Sequence, residues 1–197
     1  MVSPEVYIAN VIQWWLEFTR TINAGPEQDN NLRSTSRWIV PPRGQLKRNI
    51  DGFGKAESLA AGFSAIIRDG NGLFIAAGIG SFEDIASPLI SKAMAMRAGL
   101  LWAIDRGYQS LIIETYSLQI VEALRDPILN LSPIEQVLKD CKVLLNTITE
   151  ANITHIRRNA NAAAHHLAKV GLSLMQSYEW IGSPPSIRTD ILVEDCM

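Results

Sequence analysis

Cysteine is scarce in this chain: only Cys141 and Cys196 occur in 197 residues. Two thiols cannot build a multi-bridge disulfide framework or a four-thiolate zinc site. Long apolar runs are missing as well. None approaches the roughly 18 residues that a membrane-spanning helix needs, so no membrane partner is expected. A secretory leader is not legible, because residues 1–23 lack a basic start and carry Glu5 and Glu17. An intracellular location is the default expectation, with nucleus and cytoplasm not distinguished. Excess charge of either sign is also absent. Lys and Arg number 18 against 20 Asp and Glu, a formal net charge of −2. That balance argues against coating nucleic acid by bulk charge but leaves room for a local basic groove.

Apolar residues, by contrast, make up 47% of the chain, enough for a sizeable core. The length fits one domain of about 130–150 residues with extensions. Ser3-Pro4 reads as a helix start, a capping residue followed by proline. Ile8, Val11, Ile12, Trp15 and Ile22 follow near helical spacing. This amphipathic helix, with Trp14-Trp15 as its sticky surface, reads either as packing on the main domain or as docking to a protein partner. Residues 24–44 form a proline-bearing linker. Arg33, Arg37, Arg43, Lys47 and Arg48 stand where no carboxylate occurs between positions 30 and 50. They read as a phosphate-contacting arm or as a solvated linker.

From Leu46 the pattern becomes strand-like. A first short strand ends at Asn49-Ile50-Asp51-Gly52. A second covers 61–68, and Asp69-Gly70-Asn71-Gly72 signals a hairpin turn into a third over 73–80. Ser87-Pro88 opens a helix over 89–105 that ends at Gly107. Leu111-Ile112-Ile113 has the continuous apolar run of a central strand. Ser117 caps a short helix that stops before Pro127. Ser132-Pro133 opens another, with Ile134, Val137, Leu138, Cys141, Leu145 and Ile148 on one stripe, so Cys141 reads as a buried small hydrophobe. Residues 152–158 read as a fifth strand. A last helix carries Ala164, Leu167, Ala168, Gly171, Leu172 and Met175, and residues after Trp180 read as a tail. The order β-β-β-α-β-α-α-β-α predicts an α/β domain, a mixed sheet with helices packed on it.

That order, with these residues on it, resembles the ribonuclease H type 1 family. The likeness is to its plant, reverse-transcriptase-like branch, related to non-LTR retroelements. The matching stretches include Trp38, Pro41-Pro42, residues 49–52 and 65–69, Ala93-Met94-Ala95, Arg97 and Gly99-Leu100. They continue with residues 112–115, Ser117-Leu118-Gln119, residues 155–158, Asn161 and Ala164-His165-His166-Leu167-Ala168. The resemblance covers about residues 38–185. Each motif alone is weak, whereas their order and spacing are specific. The resemblance implies a ribonuclease H-like fold: a mixed five-stranded sheet, made of a three-strand antiparallel meander plus parallel strands, with helices on both faces. It divides the chain into an N-terminal helix and basic linker (1–45), the ribonuclease H-like domain (46–180) and a tail (181–197).

The family cleaves the RNA strand of an RNA–DNA hybrid with two Mg²⁺ ions held by carboxylates. Closely spaced divalent cations need anions between and around them, and Mg²⁺ takes hard oxygen ligands. By the resemblance, the first-strand aspartate is Asp51, the first-helix glutamate falls on Lys92, the fourth-strand aspartate on Tyr116 and the last-helix position on His165. Histidine is common at that last position in the plant branch. Lys92 and Tyr116 are the serious departures, leaving Asp51 as the one weak metal ligand. A unit positive charge about 4 Å from a divalent ion costs on the order of 8 kcal/mol at an effective dielectric of about 20. Loss or impairment of Mg²⁺-dependent hydrolysis is therefore expected. Glu114 lies two residues before Tyr116 on the same side of its strand, about 7 Å further back, and is a candidate rescue ligand. Glu57 is a weaker one. Lys92 is expected to pair with Asp51 in place of the metal.

His155 reads as a strand-end polar residue. His165 and His166 point about 100° apart on the helix and cannot readily chelate one ion together. Residues 153–170 hold Arg157, Arg158, Lys169 and all three histidines, and no carboxylate. With Asn161, the residues Arg157, Arg158 and Lys169 are the candidate nucleic-acid contacts, since hybrid recognition rests on positioned donors to phosphate and 2′-OH. Three readings stay open. They are a nucleic-acid-binding domain with silenced hydrolysis, an active hybrid ribonuclease with a rearranged Mg²⁺ site, and a non-catalytic protein-interaction remnant.

Overall fold

The computed structural model describes residues 38–55, 59–126 and 134–183. The expected N-terminal helix, Arg33, Arg37, Glu57, the expected helix start at Ser132-Pro133 and the far tail with Cys196 lie outside the described residues. Three antiparallel strands come first: β1 (Leu46–Lys55), β2 (Ala60–Arg68) and β3 (Phe74–Phe82). The turn between β2 and β3 is built as its residues predict. Asp69 Oδ1 accepts from the amides of Asn71 (2.9 Å) and Leu73 (2.8 Å), and Gly72 takes the positive φ (+78°) that glycine tolerates.

Helix α1 (Pro88–Asp105) follows, with Ser87 Oγ accepting from the Ile90 amide at 3.2 Å. Then come β4 (Ser110–Thr115), α2 (Leu118–Arg125), α3 (Glu135–Thr147), β5 (Glu150–His155), a 3₁₀ turn (Arg158–Asn161) and α4 (Ala162–Leu174). Ser117 sits at the start of α2, but its side chain makes no capping hydrogen bond. The sheet order is β5-β4-β1-β2-β3-β6, with β4 parallel to both β1 and β5.

Two apolar layers cover the sheet. One face packs against α1, α2 and α3 through residues such as Ile50, Met96, Leu100, Ile113, Ile120, Leu138 and Cys141. The other packs against α4 through Ile66, Ala77, Ile79, Ala164 and Leu167. Close approach on the α4 face needs Gly62, where a methyl would run into the Ala168 carbonyl, and Ser64 Oγ ties the layer by donating to the Ala164 carbonyl at 2.6 Å.

Four sequence expectations need correction. The sheet has six strands, because Tyr178–Ile181 forms β6 antiparallel to β3, so the folded domain reaches Ile181. β1 is a ten-residue strand that runs past Asp51 to Lys55. β5 ends at His155, so Arg157 and Arg158 lie beyond it. Lys47 and Arg48 are no arm: both are buried in β1, on opposite faces of the pleat, with Arg48 stacked 4.6 Å over the Trp102 ring. No described helix is long and apolar enough to cross a membrane.

Candidate functional site

The site gathers at the end of the sheet where β1 and β4 lie side by side. β1 presents Asp51 toward α4, and the parallel register pairs Asn49 with Glu114, which sets Tyr116 beside Asp51. Helix α1 contributes Lys92. Its first turn reaches β1 because Gly52 has no side chain: a methyl there would clash with the Ser91 carbonyl. Helix α4 contributes His165, and the 3₁₀ turn before it contributes Arg158. The four positions implied by the resemblance thus meet in space.

They do not meet as the sequence reading had them. Asp51 is buried and takes His165, not Lys92, as its partner: His165 Nδ1 lies 2.7 Å from Asp51 Oδ2. Arg158 Nη2 lies 2.8 Å from His165 Nε2. A guanidinium only donates, so Nε2 must accept. Nδ1 then carries the proton and donates to Asp51. The order is guanidinium to imidazole to carboxylate, with the histidine tautomer fixed by its two partners. Asp51 Oδ1 is buried without a hydrogen-bond partner. Burial pushes the Asp51 carboxyl pKa up. His165, the nearby Gly52 amide and Lys92 pull against that rise without cancelling it.

The Lys92 ammonium stands 4.6 Å over the Tyr116 ring and forms no ion pair with any described residue. The expected Lys92–Asp51 pair is therefore absent, because the imidazole already occupies the carboxylate and the aromatic face offers the ammonium a seat. Burial lowers the Lys92 pKa. Asp51 opposes that shift and Arg158 adds to it. Arg158 Cζ lies 5.8 Å over the same Tyr116 ring, and the Tyr116 phenol is driven up to about 12 by burial and by Asp51. Phe53 meets His165 edge-on at 5.5 Å, and Lys169 stands 5.5 Å over Phe53. His155, exposed at its strand end, places Nε2 3.2 Å from the Tyr116 carbonyl.

Glu114 does not reach toward Asp51. Its Oε1 pairs with Lys47 at 2.7 Å and its Oε2 accepts from Asn49 at 3.0 Å, in a buried cluster one pleat repeat below the site. The rescue ligand is thus already committed. Asn161, expected as a nucleic-acid contact, is instead turned inward. It is 1% exposed, donates to the Ile50 carbonyl at 3.1 Å and accepts from Asn49 at 3.2 Å, pinning the start of α4 to β1. Arg157 and Arg158 are exposed, and Lys169 is partly so. The sequence reading missed Arg68, whose Nη2 donates to Asn49 Oδ1 at 2.6 Å and whose guanidinium lies 3.5 Å over Trp38. Strand alternation from Asn49 and Lys47 would have put it on the same face.

Among the described residues, no group of three or more His, Cys, Asp or Glu side chains gathers to hold a metal ion. The donors around Asp51 are an imidazole, a phenol and two cations.

Fold and site together define a ribonuclease H-like α/β domain. Among solved structures, the chain is similar to ribonuclease H1 of the halophilic archaeon Halobacterium salinarum. The two are 22% identical with a TM-score of 0.61, and the match covers 66% of this chain and 98% of that one. LC11 ribonuclease H1, solved in complex with an RNA/DNA hybrid, is 15% identical with a TM-score of 0.59, covering 66% of this chain and 98% of that one. An Arabidopsis thaliana protein that carries a ribonuclease H name is 24% identical over 160 residues, 81% of this chain. This chain spans about a quarter, 26%, of that relative's length. Residues 49–171 match the family described as reverse transcriptase-like, and the chain belongs to that family.

Proposed function

We propose that this domain binds nucleic acid of the RNA–DNA hybrid type and that its hydrolysis of the RNA strand is lost or severely impaired. The observation that carries this reading is the interlocked set Asp51–His165–Arg158 beside Lys92 and Tyr116. Mg²⁺ demands near-octahedral oxygen ligation, from one or two carboxylates together with waters and substrate phosphates. This site offers a single carboxylate, and one of its oxygens is bound by His165. Lys92 and Arg158 add positive charge where a divalent ion would need negative. The residues present therefore do not fit Mg²⁺. Binding has different requirements. Exposed Arg157 and Arg158, with Lys169 close by, provide donors for backbone phosphate without a metal. The hybrid in the LC11 complex belongs to a relative of the same fold and supports this partner class.

A fluorescein-labelled hybrid tests both halves. Anisotropy across a salt series should report binding that weakens with salt. A gel assay with Mg²⁺ should show no cleavage above that of Asp51→Asn. Mg²⁺-dependent cleavage abolished by Asp51→Asn would instead establish an active enzyme with a rearranged site. Absence of binding would leave the protein-interaction reading.

A further inference from the structure

We propose that Lys92 and Arg158 form a metal-independent seat for one backbone phosphate, with Tyr116 as its floor and His165 as its brace. This inference rests on the nucleic-acid-binding reading and specifies where in the site that binding is anchored.

The residues that depart from the family's carboxylates form one unit. Tyr116 carries Lys92 on its ring face. His165 receives Arg158 on Nε2 and is held from behind by Asp51. Each substitution thus positions a cation or orients the residue that does. Arg158 leans over the Tyr116 ring as well, so its separation from Lys92 cannot exceed the sum of the two ring distances.

Two like charges near one ring repel: burial is the main cause that disfavours the Lys92 ammonium, Asp51 opposes it, and Arg158 adds to it. Neither takes part in an ion pair with a described carboxylate. Asp51, the carboxylate that acts on Lys92, is buried and bound to the imidazole. An anion placed between the two cations would relieve that repulsion. A phosphodiester supplies one negative charge and two free oxygens. The Lys92 ammonium has three donors, and Arg158 keeps all its N–H groups except the one given to His165. Both side chains are held in place before the ligand arrives, Lys92 by the aromatic face and Arg158 by a hydrogen bond, which reduces the entropy lost on binding. A divalent ion would be repelled from this position, while the phosphate it would have neutralised is attracted.

The test is hybrid binding by anisotropy, in EDTA and in Mg²⁺ at matched ionic strength. The variants are Lys92→Met, Arg158→Met, the double variant, Arg158→Lys, and Lys139→Met as an exposed basic control on α3. Circular dichroism melts confirm that each variant is folded. Wild type should bind as well in EDTA as in Mg²⁺. The double variant should lose about tenfold in affinity, and its log K against log salt slope should fall in magnitude by about one, the signature of one lost phosphate contact. Arg158→Lys should bind nearly as wild type does, and Lys139→Met should leave the slope unchanged. Hybrid binding by wild type with no change in the double variant overturns the seat and spares the binding reading. Wild-type binding that disappears in EDTA overturns the metal independence. No wild-type binding overturns both.

Discussion

Consider the double variant Lys92→Glu with Tyr116→Asp, which restores the family's carboxylates beside Asp51. Lys92 Nζ stands 4.6 Å from the centre of the Tyr116 ring. A divalent cation in the space of that ring would be repelled by about 7 kcal/mol at an effective dielectric of about 20. Lys92 is only half-buried, so solvent and salt reduce this to a few kcal/mol. Even that corresponds to roughly a hundred- to a thousandfold in Mg²⁺ affinity. Tyr116→Asp alone supplies an anion but leaves the repulsion, whereas Lys92→Glu alone removes the repulsion and adds an anion. The expected ranking of Mg²⁺ affinity, by titration calorimetry, runs from wild type and Tyr116→Asp (none in the millimolar range) through Lys92→Glu to the double variant. A hybrid-cleavage gel on the same four proteins should follow that ranking. If Tyr116→Asp alone binds Mg²⁺ as tightly as the double variant, the Lys92 charge does not decide the site. Mg²⁺ binding by wild type would refute the misfit altogether.

Three further outcomes are expected from the described side chains. Burial raises the Asp51 pKa above its usual 3.8. The native state therefore holds this proton more tightly than the unfolded chain, and the cost of the buried carboxylate grows as pH rises from 3.8 through the native value. Asp51→Asn should consequently stabilise the fold at pH 7 by about 1 kcal/mol. The gain should vanish near pH 3.8 in urea titrations, and a loss of stability at pH 7 would show the carboxylate to be well satisfied. Lys47→Met takes the ammonium partner from the buried Glu114, leaving the Asn49 amide and the more distant charge of Arg68. It should cost about 3–5 kcal/mol, seen by scanning fluorimetry, with much of the loss recovered by adding Glu114→Gln. Arg48 is fully buried with three unpartnered guanidinium nitrogens, and burial lowers its pKa to about 9. A depressed cation pKa means that the desolvation cost is fully present below about pH 9 and eases as pH rises above it. Arg48→Met should thus raise the urea midpoint at pH 7 by an amount corresponding to about 1–4 kcal/mol. A lower midpoint would mean that the Trp102 stacking outweighs desolvation.

Much of this architecture was legible because local chemistry and the overall fold agree. The hairpin at 69–72, the Ser87 cap and the apolar run of β4 each announce themselves within a few residues. Strand β6 does not. It is four residues long, and its place is set by pairing with Ala76–Ile79, about a hundred positions away. At the site, the family resemblance brought Asp51, Lys92, Tyr116 and His165 to one spot, but not their partners. A residue's position on a helix does not say which of two attractive neighbours its ammonium will choose, and Lys92 chose the ring over the carboxylate. Arg158 and His165 stand seven residues apart across a 3₁₀ turn, so no helical period links them. Asn161 reads as a polar contact in sequence, yet the chain places it where two backbone segments need a bridging amide.

The tether between β6 and the rest of the sheet has a consequence for solubility. Glu179 accepts from Trp102 Nε1 at 2.5 Å and pairs with Arg106, clasping the strand to α1. Beneath it lies β3, whose sequence Phe-Ile-Ala-Ala-Gly-Ile-Gly-Ser-Phe carries no charge and no proline. Exposed as an outer strand, such a segment is a template for pairing with other molecules. β6 thus acts as a guard rail against self-association. A chain cut before Ser177, or one in which Glu179 loses its hold on α1, would keep the site residues and gain a tendency to aggregate.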